Sequence, residues 1–327
     1  MSNSPSEIGY RLFPAIEVFQ ETFEKSAAQS LSRFFVEAPA RKWMVFSDYA
    51  FYDPQKRSDV FVLSLVPYVV EFDALSAHIQ DLSFKDIKHL RRVNPEFIEY
   101  LRRAPIANIA VLLPRDRRLV NGDEKGAIID FFSGLEAMIE NWHESTPQGD
   151  TYHALCLKDL KHLRWLVQFS QANLRLLRDS ILVASITGYV LFRAVQMADA
   201  ELIGWFSDRD ALLSYQSKKL HLPLIYQLLN TYYHALCEKA GQPGDNLVLG
   251  LPEEVGPIFY DSFLRVPDLV AATMADLNFS DLSFTHPKFG PIMDDLLLSN
   301  EKCIFFALRE NPIDGTPEAV RHTLERG

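Results

Sequence analysis

The chain has 327 residues, enough for one large domain or two ordinary ones, and its hydrophobic share of 48% beside 23% charged side chains excludes a disordered or low-complexity chain. A formal net charge of −10 argues against broad, non-specific adhesion to nucleic acid. Cys156, Cys237 and Cys303 are far apart, odd in number and without a Cys-x-x-Cys pair, so they support neither a zinc knuckle nor a disulfide framework and read as buried thiols of a soluble, cytoplasmic protein.

Met1 to Gly9 is polar, with no basic segment followed by an apolar run, and does not read as a signal peptide. Tyr10 to Phe35 reads as a helix, with Phe13, Ile16, Phe19, Phe23 and Leu31 on one side, ended by Pro39. Lys42 to Ala50 and Asp59 to Val70 are β-type runs flanking an Asp53-Pro54 turn, and predict an antiparallel hairpin. Phe72 to Arg103 is helical, with a break expected at Asn94-Pro95. Asn108 to Leu113 is a compact apolar strand closed by Pro114, and Glu124 to His143 is a helix.

Ser145 to Asp150 is the clearest loop. Beyond it, Leu155, Leu160, Leu163, Leu166, Val167, Leu174, Leu177 and Ile181 mark one long amphipathic helix, and a further helix fills much of Ser185 to Ala198. The apolar stretch from Ile181 to Phe206 is interrupted by Arg193, Asp199 and Glu201, whereas a membrane span needs about 20 apolar residues. It reads as a buried helix and then a strand at Glu201 to Ser207, with no membrane partner. A helix from Leu222 to Ala240, strands at Asn246 to Leu251 and Cys303 to Leu308, an extended piece near Gly256 to Tyr260, a helix from Val266 to Leu277 and helical turns at Met293 to Leu298 follow. Strands and helices interleave, which predicts an α/β chain with a mixed sheet.

A phosphate-binding P-loop, a dinucleotide-binding glycine fingerprint, His-Glu-x-x-His and Gly-x-Ser-x-Gly are all absent. The nine histidines are scattered; His78 with His89, and His221 with His234, lack ligand spacing and read as surface or capping residues. The charge, however, is uneven. Between Lys85 and Arg118 stand nine basic side chains against four acidic ones, Lys85, Lys88, Arg91, Arg92, Arg102, Arg103, Arg115, Arg117 and Arg118. The segment is either an ordinary solvated surface or a face for a polyanion such as nucleic acid.

The remaining signal is carboxylates at element ends. Strand alternation puts Met44, Phe46 and Asp48 on one face, so Asp48 either leaves the strand there or meets a cation. Leu202, Gly204, Phe206 and Asp208 repeat the arrangement, with Asp210 two residues on; a helix N-cap is the plain alternative. Asp268 follows Pro267 at an expected helix start, where the helix dipole alone would account for it. A carboxylate on the first strand of a hairpin, one at a later strand tip and one at a helix start is also the layout of a two-metal phosphodiesterase. Such sites hold two divalent ions about 3.5–4 Å apart, and Mg²⁺ or Mn²⁺ wants oxygen donors with no need of His or Cys.

Three patches resemble a known family: Phe46-Ser47-Asp48-Tyr49-Ala50 followed by Ser58 to Pro67, Trp205 to Asp210, and Asp261-Ser262 followed by Val266-Pro267-Asp268-Leu269-Val270-Ala271. They are similar to the bacterial proteins grouped as domain of unknown function 3800, within the ribonuclease H-like superfamily, over about residues 42–70 and 200–277. The resemblance implies a ribonuclease H-like mixed sheet with flanking helices, the α/β domain at 42–119 and 200–327; residues 1–41 read as an N-terminal helical segment and 120–199 as a large helical insertion that the resemblance does not account for. It implies Asp48, Asp208 and Asp268 as catalytic metal ligands for Mg²⁺ or Mn²⁺, with Asp210 and Asp261 as accessory ligands. It further implies a metal-dependent nuclease whose basic stretch positions the phosphate backbone. The chain departs from the family pattern at Tyr49, where the family carries Glu, at Ala50-Phe51 in place of Ser-Gly, and at Pro267. The rival expectation is therefore a catalytically inactive protein-binding module of the same fold.

Overall fold

The computed structural model describes residues 10–83, 85–145, 149–253 and 255–325. Met1 to Gly9 and residues 146–148 of the predicted loop lie outside the described residues. The elements in chain order are α1 (Pro14–Ser26), α2 (Ala28–Glu37), β1 (Lys42–Ala50), β2 (Asp59–Pro67), α3 (Phe72–Leu82), a 3₁₀ turn (Ile87–His89), α4 (Pro95–Arg103), β3 (Ala107–Leu113), α5 (Glu124–Ser145), α6 (Asp150–Gln168) and α7 (Leu174–Ala198). They continue with β4 (Leu202–Ser207), α8 (Ala211–Ser214), α9 (Leu224–Lys239), β5 (Leu247–Gly250), α10 (Asp261–Asp276), α11 (Phe289–Ile292) running into a π turn (Met293–Leu297), β6 (Cys303–Glu310) and β7 (Pro317–His322). The chain is α/β with a mixed sheet, as its pattern predicts.

The chain forms two compact units. One contains residues up to Glu17, Arg118–Ile186 and Ala211–Tyr232. The other contains Val18–Arg117, Thr187–Asp210 and the chain from Tyr233 onward, and holds every strand.

The sheet runs β5-β4-β1-β2-β3-β6-β7. The predicted hairpin is present, with Phe46 opposite Ser64 and Asp48 opposite Val62 in the antiparallel β1–β2 pair. β3 continues antiparallel beside β2, β4 runs parallel to β1 on its other side, and β5 runs parallel to β4. β2 and β3 are buried along their whole length, which is why they read as near-continuous apolar runs and not as alternation. On one face Met44, Phe46, Val60, Val62, Ala110, Leu112 and Phe305 pack with Phe263, Val266, Val270 and Met274 of α10. Phe46 stacks on Phe263 at 4.7 Å and 7°. On the other face Phe19 meets Phe306 at 5.0 Å, and Phe35 meets Trp43 edge-on at 4.8 Å. β7, which went unpredicted, is an edge strand opening on Pro317, and proline is tolerated only at such edges.

Several helices differ from expectation. The helix predicted over 10–35 bends at Ala27, whose φ of −116° leaves the helical range. Just before it the Ser26 hydroxyl donates to the Thr22 carbonyl at 2.5 Å, a back-bond that bends helices. The break at Asn94-Pro95 is present: Asn94 Oδ1 accepts from the Glu96 amide at 3.1 Å and Pro95 opens α4. The single helix predicted from Leu155 to Ile181 is two helices, because Ser170 takes a left-handed φ of +57° between α6 and α7. No strand interrupts 155–178 among the described residues. α7 is long and apolar enough to cross a membrane by length and composition, and 72% of that stretch is buried within the protein, as in a core helix. The extended piece expected near Gly256 is instead bends and turns leading into α10.

The helical unit has its own polar ties. Arg178 grips Glu124 with two bonds of 2.7 and 2.6 Å, and the Leu119 amide donates to the same carboxylate at 2.8 Å. Arg164 holds Glu136 at 2.8 and 3.1 Å, joining α6 to α5. Within this unit His221 shares a hydrogen bond with Asp159, consistent with a polar cap and not a lone ligand. All three cysteines are free and buried, as expected.

Candidate functional site

β1 and β4 are adjacent and parallel, and β4 stops at Ser207 where β1 runs on to Ala50. Ser47 is in register with Ser207, and the Asp208 amide donates to the Ser47 carbonyl at 3.1 Å. Asp48, the next residue of β1, stays paired with Val62 of β2, whereas Asp208 is the first residue beyond β4, so the two acids lie where the β1–β4 ladder ends. The chain passes from β1 to β2 on one side and from β4 to β5 on the other, and such a reversal opens a crevice at strand ends, the usual ligand position in open α/β sheets.

A cavity of about 450 Å³ lies there, lined by Asp48, Tyr49, Asp86, Lys88, Asp208, Arg209, Asp210, Asp261, Leu264 and Asp268. All five carboxylates singled out from the sequence border it. Asp268 arrives differently from expectation. α10 begins at Asp261, so Asp268 stands two turns inside the helix and Pro267 lies in its interior. The missing amide and the ring cost about 3 kcal/mol. The burial of Phe263, Leu264, Val266 and Leu269, at about 1.5–3 kcal/mol each, outweighs that cost. Asp268 is therefore not a helix-dipole residue; its Oδ2 accepts from the Ile87 amide at 3.0 Å, which pins the 3₁₀ turn to α10.

The electrostatics are those of crowded acids. Burial, then repulsion from Asp268 and Asp208, holds the Asp48 carboxyl well above the usual carboxylate range; a bond from the Tyr49 amide opposes this and Asp210 adds to it. Burial likewise raises Asp208 and Asp268, against the opposing bonds from the Arg209 and Ile87 amides and the charge of Lys88. Burial and then Asp208 raise Asp261.

Cations answer part of this charge. Arg265 bonds to both Asp86 and Asp261, and Lys88 pairs with Asp86 at 3.2 Å. Arg209 turns outward, its Nε donating to the Glu253 carbonyl at 2.8 Å and an NH2 to Gly256 at 2.6 Å. Among the described residues no three His, Cys, Asp or Glu side chains stand at the spacing that would hold one metal ion. The donor chemistry suits a hard divalent cation, since every acidic wall group is a carboxylate, while the spacing is looser than a finished metal centre.

Tyr49 borders the cavity as a phenol and not as a carboxylate. Its hydroxyl lies 3.0 Å from Ser47 Oγ and 2.9 Å from Ser207 Oγ, and burial pushes the phenol upward. Sequence reasoning missed Asp86, Arg209 and Arg265 as groups of this site, and named Lys88 only as part of the basic stretch. Asp86 sat unseen within that stretch, and Arg265 is four residues after Asp261 on one helix face.

The basic stretch is not one face. Arg117 is buried against Asp59 at 2.7 Å and stacks over the rings of Phe51 and Tyr52. Arg115 donates to the carbonyls of Asp53 and Lys56, and Arg103 pairs with Glu99. Lys85, Lys88, Arg91 and Arg92 are exposed around the 3₁₀ turn that borders the cavity.

Compared with family models, curated proteins and solved structures, the chain matches none.

Proposed function

We propose that this protein is a divalent-metal-dependent nuclease with a ribonuclease H-like sheet, hydrolysing phosphodiesters at the cavity between the ends of β1 and β4. One observation carries the reading: Asp48, Asp208, Asp210 and Asp268 come from two strand ends and a helix to line one cavity, and burial and mutual repulsion raise the Asp48 carboxyl. A divalent cation would relieve that crowding of like charge. Asp48, Asp208 and Asp268 would hold Mg²⁺ or Mn²⁺, with Asp210 and Asp261 in support. The chemistry such a cation supplies when bound is activation of a water and stabilisation of a leaving oxygen. Lys88, Arg91 and Arg92 contact phosphate, and contacts of that kind set position more than sequence.

Thermal unfolding under titration with Mg²⁺ and Mn²⁺ tests the site. A ligand at 100 times its Kd stabilises by about 2.7 kcal/mol, and the nuclease reading expects such a shift in the native chain but not in Asp48→Asn. Equal behaviour of the two chains would remove the metal from the account.

The second reading is a catalytically inactive module of the same fold that binds protein. Two features favour it: among the described residues no three donors stand at metal-holding spacing, and Tyr49 occupies the family's Glu position with its hydroxyl committed to Ser47 and Ser207. It expects no metal-specific shift.

A further inference from the structure

The segment from Leu251 to Phe259 presents unusually apolar surface beside a charged cavity. Phe259 is 57% exposed, Val255 88% and Leu251 42%. Both ends of this segment are tied to the cavity wall. Arg209, itself a wall residue, donates to the carbonyls of Glu253 and Gly256. At the other end Phe259 is two residues before Asp261, and the Tyr260 hydroxyl donates to the Ser207 carbonyl at 2.9 Å.

Phe259 also has a fixed seat. Its ring meets Phe72 at 5.7 Å, Phe206 at 6.2 Å and Tyr260 at 4.9 Å, the last two edge-on, yet more than half of the residue stays in solvent. Three aromatic neighbours hold the ring, and its remaining surface is unspent. Phe259 does not itself line the cavity but lies two residues before its wall residue Asp261; the cavity lining also includes Lys88, and Arg91 and Arg92 are exposed three and four residues further on.

From this juxtaposition we infer that the site takes a single strand of nucleic acid, with an unpaired base stacked on Phe259 and the phosphate backbone held by Lys88, Arg91 and Arg92. The inference rests on the phosphodiester reading of the cavity and adds strandedness to it. A positively charged track beside an aromatic platform is the recognition chemistry of single strands, because every base has a π-face whereas a duplex keeps its bases stacked inside. A duplex offers no free base to Phe259, so the apolar segment would only obstruct it.

The test is fluorescence anisotropy with labelled oligothymidylate, oligouridylate and a mixed-sequence DNA duplex. It uses the full chain in EDTA, and the Asp48→Asn chain in Mg²⁺. Single strands should bind more tightly than the duplex in at least one condition. Phe259→Ala should weaken single-strand binding roughly five- to a hundredfold, the scale of one lost base stack, with duplex binding unchanged. Phe259→Tyr should keep it, and its unfolding midpoint guards against a folding defect. Equal affinity for duplex and single strand, no binding of any probe in both conditions, or a Phe259→Ala chain that binds single strands normally would overturn the inference. Single-strand binding that depends on Phe259 without cleavage by the native chain would leave it standing while removing the nuclease reading.

Discussion

The amide of Asp208 donates to the carbonyl of Ser47 at 3.1 Å, which extends the β1–β4 ladder by one bond beyond the last register pair. That bond closes the β1–β4 ladder, while β1 continues to Ala50 against β2, and it brings Asp48 and Asp208 to the same cavity wall. The consequences are energetic as well as chemical.

Asp48 should destabilise the metal-free protein. Its folded pKa is raised, by burial first and then by Asp268 and Asp208, so between the unfolded and folded values the native state binds more protons than the unfolded one. Stability is then fully present below the unfolded pKa and declines as pH rises through the folded pKa. Unfolding of native and Asp48→Asn chains in EDTA, from about pH 4.5 to 8, should show the variant gaining on the native chain as pH rises. A constant gap would mean that Asp48 is not strained.

Gly250 should be intolerant of a side chain. A Cβ there would meet Phe206 Cδ1 at 2.2 Å, and one at Gly204 would meet Phe206 Cε2 at 2.7 Å. Phe206 fills the space these glycines leave and stacks on Phe46 at 5.3 Å, two residues before Asp208. Gly250→Ala should cost about 1–3 kcal/mol by overpacking and should also reduce metal-dependent stabilisation by shifting the end of β4. Chemical denaturation with and without Mn²⁺ reads both effects.

The Asp59–Arg117 pair should be strongly coupled. Asp59 is fully buried, accepts from Arg117 at 2.7 Å and from the Tyr52 amide at 2.9 Å, and so holds the β1–β2 turn to the end of β3. Arg117→Met alone leaves a buried charge and should cost about 3–5 kcal/mol. Adding Asp59→Leu should recover part of that loss. A double-mutant cycle in urea with no coupling would show the pair to be incidental.

The hairpin, the strand β4 and the compact β3 were legible because their apolar runs are bounded by turn residues such as Asp53-Pro54 and Pro114, whereas the parallel placing of β4 beside β1 was not. The ends of helices were less legible. Ser170 gives no warning of a left-handed turn between two apolar helical patterns, so α6 and α7 read as one helix. Pro267 looked like a helix start because proline is normally excluded from helix interiors, and only the packing of α10 on the sheet explains its place. Of the site, Asp48 and Asp208 were visible as acids following apolar alternation, Asp210 as their near neighbour and Asp268 at an expected helix start, while Asp261 came only from the family resemblance. Asp86 and Arg265 were not visible, and Lys88 was visible only as a basic residue, since their approach depends on the 3₁₀ turn meeting α10 across 181 residues of chain at the Ile87–Asp268 bond. The basic stretch was visible as composition, but Arg117 and Arg115 are consumed by Asp59 and backbone carbonyls, which no charge count reveals.

The most direct measurement is cleavage. Labelled single-stranded RNA and DNA are incubated with the native chain and with Asp48→Asn, in Mg²⁺, in Mn²⁺ and in EDTA, and resolved on denaturing gels. The account predicts fragments from the native chain with Mg²⁺ or Mn²⁺ only, and a rate lower by roughly 10²- to 10³-fold in Asp48→Asn, the scale for losing one group that stabilises developing charge. Intact strands under every condition, or equal cleavage by the two chains, would contradict it.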